Sequence, residues 1–213
     1  MRTVFLIALT SLFVFAKCNK DDSGTVSANF FPTTTGSTWT YKENVANVQY
    51  TYTATAKDTT INSKTYKVVN NSLGGNVYAA QVSSDYYRYG ALQTGFNSST
   101  GIEELFLKDN VALNGTWETT QNVVYNGTTY PLKLSYKITE VNATKTYVGK
   151  TYTSVTKVRL DISTTQSGFA IVLGGGDFFY ANGVGLVHSE LAINAPGQPA
   201  ISQNTDLLTY SIK

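Results

Sequence analysis

The residues able to do chemistry are few and scattered in this chain of 213. The single histidine, His188, lies in "GVGLVHSEL", with Ser189 and Glu190 directly after it. A hydrolytic triad needs a base that is held by an acid and aimed at a nucleophile. Successive side chains of a strand point to opposite faces, so His188 and Ser189 diverge, and His188 reads as an exposed strand residue. Glu103, Glu104, Asp177 and Glu190 could supply the acid and nucleophile of a glycosidase, but their spacing pairs no two of them. Zinc needs three or four His, Cys or carboxylate ligands, and a calcium loop needs an acidic repeat. Neither pattern occurs. "LGGGDFFYANGVG" lacks the Lys-Ser/Thr of a phosphate loop and the spacing of a dinucleotide fingerprint. Its glycines read as a tight turn and a bulge. The expectation is no catalytic residue, no metal and no cofactor.

Binding is better provided for. "SDYYRYG" sets Tyr87 and Tyr89 on one strand face and Tyr86 on the other, so one set can be core while the other presents rings to a glycan. The run "FAIVLGGGDFF" could line an apolar cavity, or be a buried strand. Three functions follow: a binding or structural module for an extracellular ligand such as glycan, a carrier of a lipid or other hydrophobic ligand, and a carboxylate-dependent hydrolase. The first is the main reading, and the protein is expected not to be an enzyme.

The elements that must hold these residues are strands. "QYTYTATA" puts Tyr50, Tyr52, Ala54 and Ala56 on one face and Thr51, Thr53 and Thr55 on the other. "LKLSYKI" alternates Leu132, Leu134, Tyr136 and Ile138 with polar residues, and "VTKVRLDI" does so with Val158, Leu160 and Ile162. Asn126-Gly127 predicts a tight hairpin, because a type I′ turn needs positive φ at both central residues. "INSKTY", "NSLGGN" and "VGKTY" are weaker turn candidates. Two stretches look alike: each has Gly, then Trp (Trp39, Trp117), an alternating strand, a turn with Lys and Tyr (Lys64 and Tyr66; Lys150 and Tyr152), then Val-rich residues. "DYYRYG" against "DFFYANGVG" is a third candidate correspondence. The spacing predicts a duplicated β-meander, divided near 29–110 and 111–213, with each Trp ring packed over the sheet of its own half.

Composition agrees. Charged residues are 14% of the chain, against ~25% on average. The net charge is +2, and tyrosine occurs 15 times. Tyr and Thr suit half-buried pleated surfaces. No basic patch stands out, so nucleic acid is not an expected partner. The fold class is therefore all-β: antiparallel meanders in two similar halves, forming a curved sheet, half-barrel or sandwich.

The head of the chain gives an address. "MRTVFLIALTSLFVFA" is apolar from Val4 to Ala16 apart from Thr10 and Ser11. It is shorter than the ~20 residues of a membrane span and has the length of a secretory h-region. It ends at Cys18, the only cysteine. Phe15, Ala16 and Cys18 resemble a bacterial lipoprotein signal, although Lys17 stands where that signal has a small residue. The resemblance implies lipidation of Cys18. Lys20, Asp21 and Asp22 resemble the export signal of Bacteroidota-type surface lipoproteins, which implies the outer face of the outer membrane. "FFPTTTGSTWTY" and "FFYANGVGLVHSE" resemble the two ends of a group of Bacteroidota lipoproteins, which implies a mainly antiparallel β domain. Asp58-Thr59-Thr60 resembles an O-glycosylation acceptor of the same bacteria, with Thr59 as the acceptor. The expected organisation is a signal peptide at 1–17, an anchored polar tether at 18–28 and a β domain at 29–213. The expected partners are a membrane, through the lipid, and an extracellular ligand.

Overall fold

The computed structural model describes residues 28–90, 101–125, 128–166, 168–194 and 199–213. Cys18, Lys20, Asp21, Asp22 and the Asn126-Gly127 pair lie outside the described residues. The strands are β1 (Thr38–Glu43), β2 (Val48–Ile61), β3 (Lys64–Asn71), β4 (Asn76–Val82), β5 (Asp85–Gly90), β6 (Ile102–Lys108), β7 (Thr116–Tyr125), β8 (Thr128–Tyr147), β9 (Lys150–Gln166), β10 (Phe169–Ala181), β11 (Gly185–Ile193) and β12 (Ile201–Ser211). No helix occurs among the described residues.

All twelve strands form one antiparallel sheet, in the order β6-β5-β4-β3-β2-β1-β12-β11-β10-β9-β8-β7. First and last strands are thus paired in the middle, and the sheet rolls into a nearly closed barrel. The expected alternation is present. Leu132, Leu134, Tyr136 and Ile138 are buried and alternate with exposed Lys133 and Lys137 and half-buried Ser135, and Val158, Leu160 and Ile162 are each 1% exposed. Ala56 departs from its predicted face and is exposed, because a bulge between Ala54 and Asp58 breaks the period of β2. Asn62-Ser63 and Val148-Gly149 are two-residue loops with positive φ at both positions, the backbone of a type I′ hairpin. Tyr125 of β7 pairs with Thr128 of β8 on either side of 126–127.

The roll closes through side chains. β6 and β7, the two edges of the sheet, are not paired with each other. Trp117 and Gln121, two turns of the pleat apart on one face of β7, meet the backbone edge of β6 instead. The Gln121 amide accepts from Glu103 N–H at 3.1 Å and donates to Glu103 C=O at 3.1 Å, as a strand partner would. The Trp117 indole donates to Leu105 C=O at 2.7 Å.

The N-terminal segment closes one end. Phe31 stacks on Trp39 with ring centroids 5.7 Å apart, and Phe30 meets Tyr86 edge-on. Tyr86 Oη donates to Ala28 C=O, and Gly183 N–H donates to Asn29 C=O. The turns at 83–84 and 182–184 lie at this closed end. Both tryptophans are buried, at 1% and 9% exposure. Trp117 stacks on Tyr136 of its own half, as expected, but Trp39 packs on the N-terminal plug. Each indole N–H bonds to the other half, Trp39 to Val184 C=O and Trp117 to Leu105 C=O.

The two hairpins with matching Lys and Tyr behave alike. The β2–β3 tip crosses β4 and β5 on the outside to reach β6, where Lys64 and Tyr66 bind Glu103. The β8–β9 tip crosses β10 and β11 to reach β12, where Lys150 Nζ donates to Leu208 C=O. The third correspondence does not follow the strand order. "DYYRYG" is the fifth strand of its half, and "DFFYANGVG" begins in the fourth of its own.

Gly174, Gly175 and Gly176 lie within β10 and not at a turn. A bulge between Val172 and Gly174 gives Gly174 a φ of +137°. A Cβ on Gly175 would stand 2.2 Å from Leu160 C=O, so only glycine lets β9 and β10 coil this closely. The run "FAIVLGGGDFF" is only half buried. Phe169 and Val172 are 76% and 75% exposed at the open end, and Leu173 is core.

Candidate functional site: the barrel interior

Among the described residues the barrel is open opposite the plug, and a cavity of about 340 Å³ leads inward. One wall carries Tyr41 from β1 and Tyr50 and Tyr52 from β2. Register places them: Tyr41 pairs with Tyr50, and Trp39 pairs with Tyr52. Their centroids lie 5.2–5.6 Å apart. Tyr41 Oη donates to Leu186 C=O at 3.0 Å, and Tyr50 bonds to Thr205. The facing wall offers Leu160, Phe178, Leu186 and Leu191, with Ser189, Gln203 and Thr205 as polar points.

Arg88 and Glu104 lie deep in the cavity. They are directly opposite across β5 and β6 and point inward. Arg88 Nε and Nη2 both donate to Glu104 Oε2, at 2.8 and 2.5 Å. Tyr136 Oη lies 3.4 Å from the other carboxylate oxygen. Glu104 is 5% exposed as a residue. The Arg88 side chain is 38% exposed although it sits deep inside the molecule. Both hold because the surface it exposes faces the cavity. Burial, the largest single influence, would lower the guanidinium pKa, but the charge and hydrogen bonds of Glu104, with Tyr180 and Tyr52 nearby, together outweigh it and the pKa is raised. Burial first, and then neighbouring phenols, raise Tyr41 well above its ordinary value, and Tyr50 and Tyr52 are also raised, mainly by burial. The tyrosines are therefore neutral donors and acceptors at physiological pH. Among the described residues of the lining, Arg88 and Glu104 are the only charged ones, and they neutralise each other. The chamber is neutral, partly aromatic and partly polar.

The sequence candidates fall elsewhere. Tyr86 is 0% exposed and belongs to the plug, bonded to Ala28 and Asp109. Burial, with Asp109 beside it, pushes its phenol up to about 12. Tyr87 lies outside the barrel with Lys64 Nζ 4.6 Å above its ring. Tyr89 packs against Tyr66 and Tyr78 and borders the cavity at its lip. The three do not form a flat exposed strip. Thr59 is half-buried in the β2–β3 hairpin, opposite Tyr66.

His188 is a correction to the expectation of an exposed residue, since it is 7% exposed. The folded-over β8–β9 hairpin covers it: Tyr147 stacks on the imidazole at 4.3 Å. Nδ1 lies 2.7 Å from Asp206 Oδ1 and Nε2 lies 3.3 Å from Glu190 Oε1. Ser189 points the other way, into the cavity, and so does not face the imidazole. The four carboxylates are separated by the wall. Glu104 is inside, while Glu103, Asp177 and Glu190 are outside, each beside a cationic or imidazole partner. Register does set Asp177 opposite Glu190, a pairing the spacing did not reveal, but it lies on the outer surface and not in a cleft. Among the described residues, no group of His, Cys and carboxylates could hold a metal ion.

No family model matches the chain, and no curated protein matches it. Two solved structures are similar. A presumed lipoprotein of Parabacteroides distasonis is 18% identical, with a TM-score of 0.52, over 86% of this chain and 99% of that one. A presumed exported protein with a YmcC-like fold from Bacteroides fragilis is 14% identical, with a TM-score of 0.46, over the same shares of the two chains. The likeness to the first is one of fold.

Proposed function

We propose that this protein is a lipid-anchored binding module of the outer membrane, facing the cell exterior, which takes a small neutral glycan into the open end of its barrel. Cys18 carries the lipid, and Lys20, Asp21 and Asp22 direct export. The P. distasonis protein of similar fold is itself a presumed lipoprotein, in accord with that anchor.

The observation that carries the binding reading is the neutral, tyrosine-lined chamber. About 340 Å³ falls within the ~300–1,000 Å³ of small-ligand sites. Sugars present C–H faces that stack on aromatic rings and hydroxyls that both donate and accept. Tyr50 and Tyr52 offer rings, and Arg88, Glu104, Ser189 and Thr205 offer donors and acceptors. An anionic ligand would find Arg88 already committed to Glu104. A second reading, a carrier of an acyl chain, is favoured by the apolar wall of Leu160, Phe178, Leu186 and Leu191. It must place hydrocarbon against an ion pair that needs polar company.

The test is calorimetric titration of the chain from Asn19 onward with a panel of neutral di- and trisaccharides and, in parallel, long-chain fatty acids. Saccharide binding that Tyr52→Leu weakens about tenfold, and Tyr87→Ala leaves unchanged, supports the proposal; ring stacking of ~0.5–1.5 kcal/mol sets that scale. Binding of fatty acids alone sinks the glycan reading in favour of the carrier.

A further inference from the structure

We infer that the barrel stands on the bilayer by its closed end and turns its open end to the medium. This rests on the Cys18 anchor proposed above. The chain enters the barrel at the closed end. Asn29 N–H donates to Asn182 Oδ1, Asn29 C=O accepts from Gly183 N–H, and Ala28 C=O accepts from Tyr86 Oη. These bonds hold the end of the tether beside the turns at 83–84 and 182–184. The cavity opens at the opposite end, among Asn71, Gly74, Gly75 and Gly90.

Distance favours one of the two orientations. From Cys18 to Ala28 the chain advances ten residues, which span at most ~36 Å when fully drawn out. The wall between the two ends is a strand such as β11, nine residues long, or ~30 Å at ~3.3 Å per residue. Laying the open end on the bilayer would use nearly all of the tether along the wall. Laying the closed end there uses almost none. The closed end also suits a lipid surface. Its exposed tips include Val82 and Leu113, each 49% exposed, and Asp85 and Lys108 above them pair with each other. The open rim has exposed apolar tips too, Val45, Leu73, Phe169 and Val172, and on tip composition alone it could have been the membrane face. The tether places that rim in the medium, so a ligand arrives from the medium and not from the acyl chains.

The test uses the full lipidated protein in phosphatidylcholine–phosphatidylethanolamine vesicles. Cys18 is acylated and does not react with a maleimide, so one added cysteine takes a bimane label at a chosen place. Val82→Cys and Leu113→Cys report on the closed end, and Leu73→Cys on the open rim. Nitroxide-bearing lipids should quench the first two at least twofold more than the third. Equal quenching of all three, or stronger quenching at Leu73, overturns the proposed orientation. Failure of the unlabelled protein to float with vesicles overturns the anchor, and this proposal with it. Neither result bears on the saccharide titration, which is done without lipid.

Discussion

Arg88→Met should convert the neutral chamber into a buried, lone carboxylate. In the native protein, Glu104 is 5% exposed and takes two charge-assisted hydrogen bonds from Arg88. Without them its remaining partner among the described residues is Tyr136 Oη at 3.4 Å. Breaking such a pair by removing one member costs ~3–5 kcal/mol, a large share of the ~5–15 kcal/mol that holds a domain. The cost should depend on pH, with a definite sign. A buried carboxyl with no cation has its folded pKa raised above the unfolded ~4.3. The folded variant then binds more protons than the unfolded chain, so its stability rises as pH falls towards that range. Urea unfolding at about pH 7.5 and about pH 5 should show a deficit that shrinks at the lower pH. Arg88→Met combined with Glu104→Gln should recover most of the loss at neutral pH, because no charge is left behind. A single variant that loses less than ~1 kcal/mol, equally at both pH values, would show that cavity water solvates Glu104 and that the pair is not desolvated.

Gln121→Ala removes both bonds to the edge of β6; a loss of ~1–3 kcal/mol and faster hydrogen exchange at the Glu103 amide are expected, and an unchanged exchange rate would mean that the seam is held by packing alone. Burial alone would raise Glu103, but hydrogen bonds from Lys64, Tyr66 and Asn62 outweigh it and lower its pKa. It therefore contributes stability above the unfolded ~4.3 that is lost as pH falls through the lower folded value. Glu103→Gln should be less stable at neutral pH and should lose less stability on acidification than the native protein, as followed by thermal melts. Gly175→Val sets a Cβ 2.2 Å from Leu160 C=O and should cost at least the ~1–3 kcal/mol of overpacking, read from urea midpoints; a neutral outcome would mean that β9 and β10 can separate there.

The strands were legible because half-buried strands write their period into the chain. "LKLSYKI" and "VTKVRLDI" keep it without interruption, and their inward residues are core. Ala56 was misplaced because a bulge adds residues without any mark in the local pattern. The cavity was less legible, because its walls come from ten strands far apart in sequence. Tyr41, Tyr50 and Tyr52 read as ordinary strand aromatics. The adjacency of Arg88 to Glu104 is a matter of β5–β6 register, which a shift between Tyr86 and Tyr87 sets. His188 was misjudged for another reason. Its own strand gives no sign that the β8–β9 hairpin folds over it, since that fold depends on three irregularities between Ile138 and Lys145. The signal that could have pointed there was the length of the segment from Thr128 to Gln166, which supplies two strands far longer than the barrel is tall.

The barrel interior, not its outer surface, is the proposed site of ligand binding. Backbone amide and tyrosine ring resonances of the chain from Asn19 onward, followed by NMR during titration with the neutral saccharide that binds most tightly in calorimetry, test it directly. Shifts are expected at Tyr50, Tyr52, Arg88, Ser189 and Thr205, with Tyr87 and His188 unmoved. Shifts confined to Tyr87, Tyr78 and the outer face of β5, with the interior residues silent, would contradict this placement.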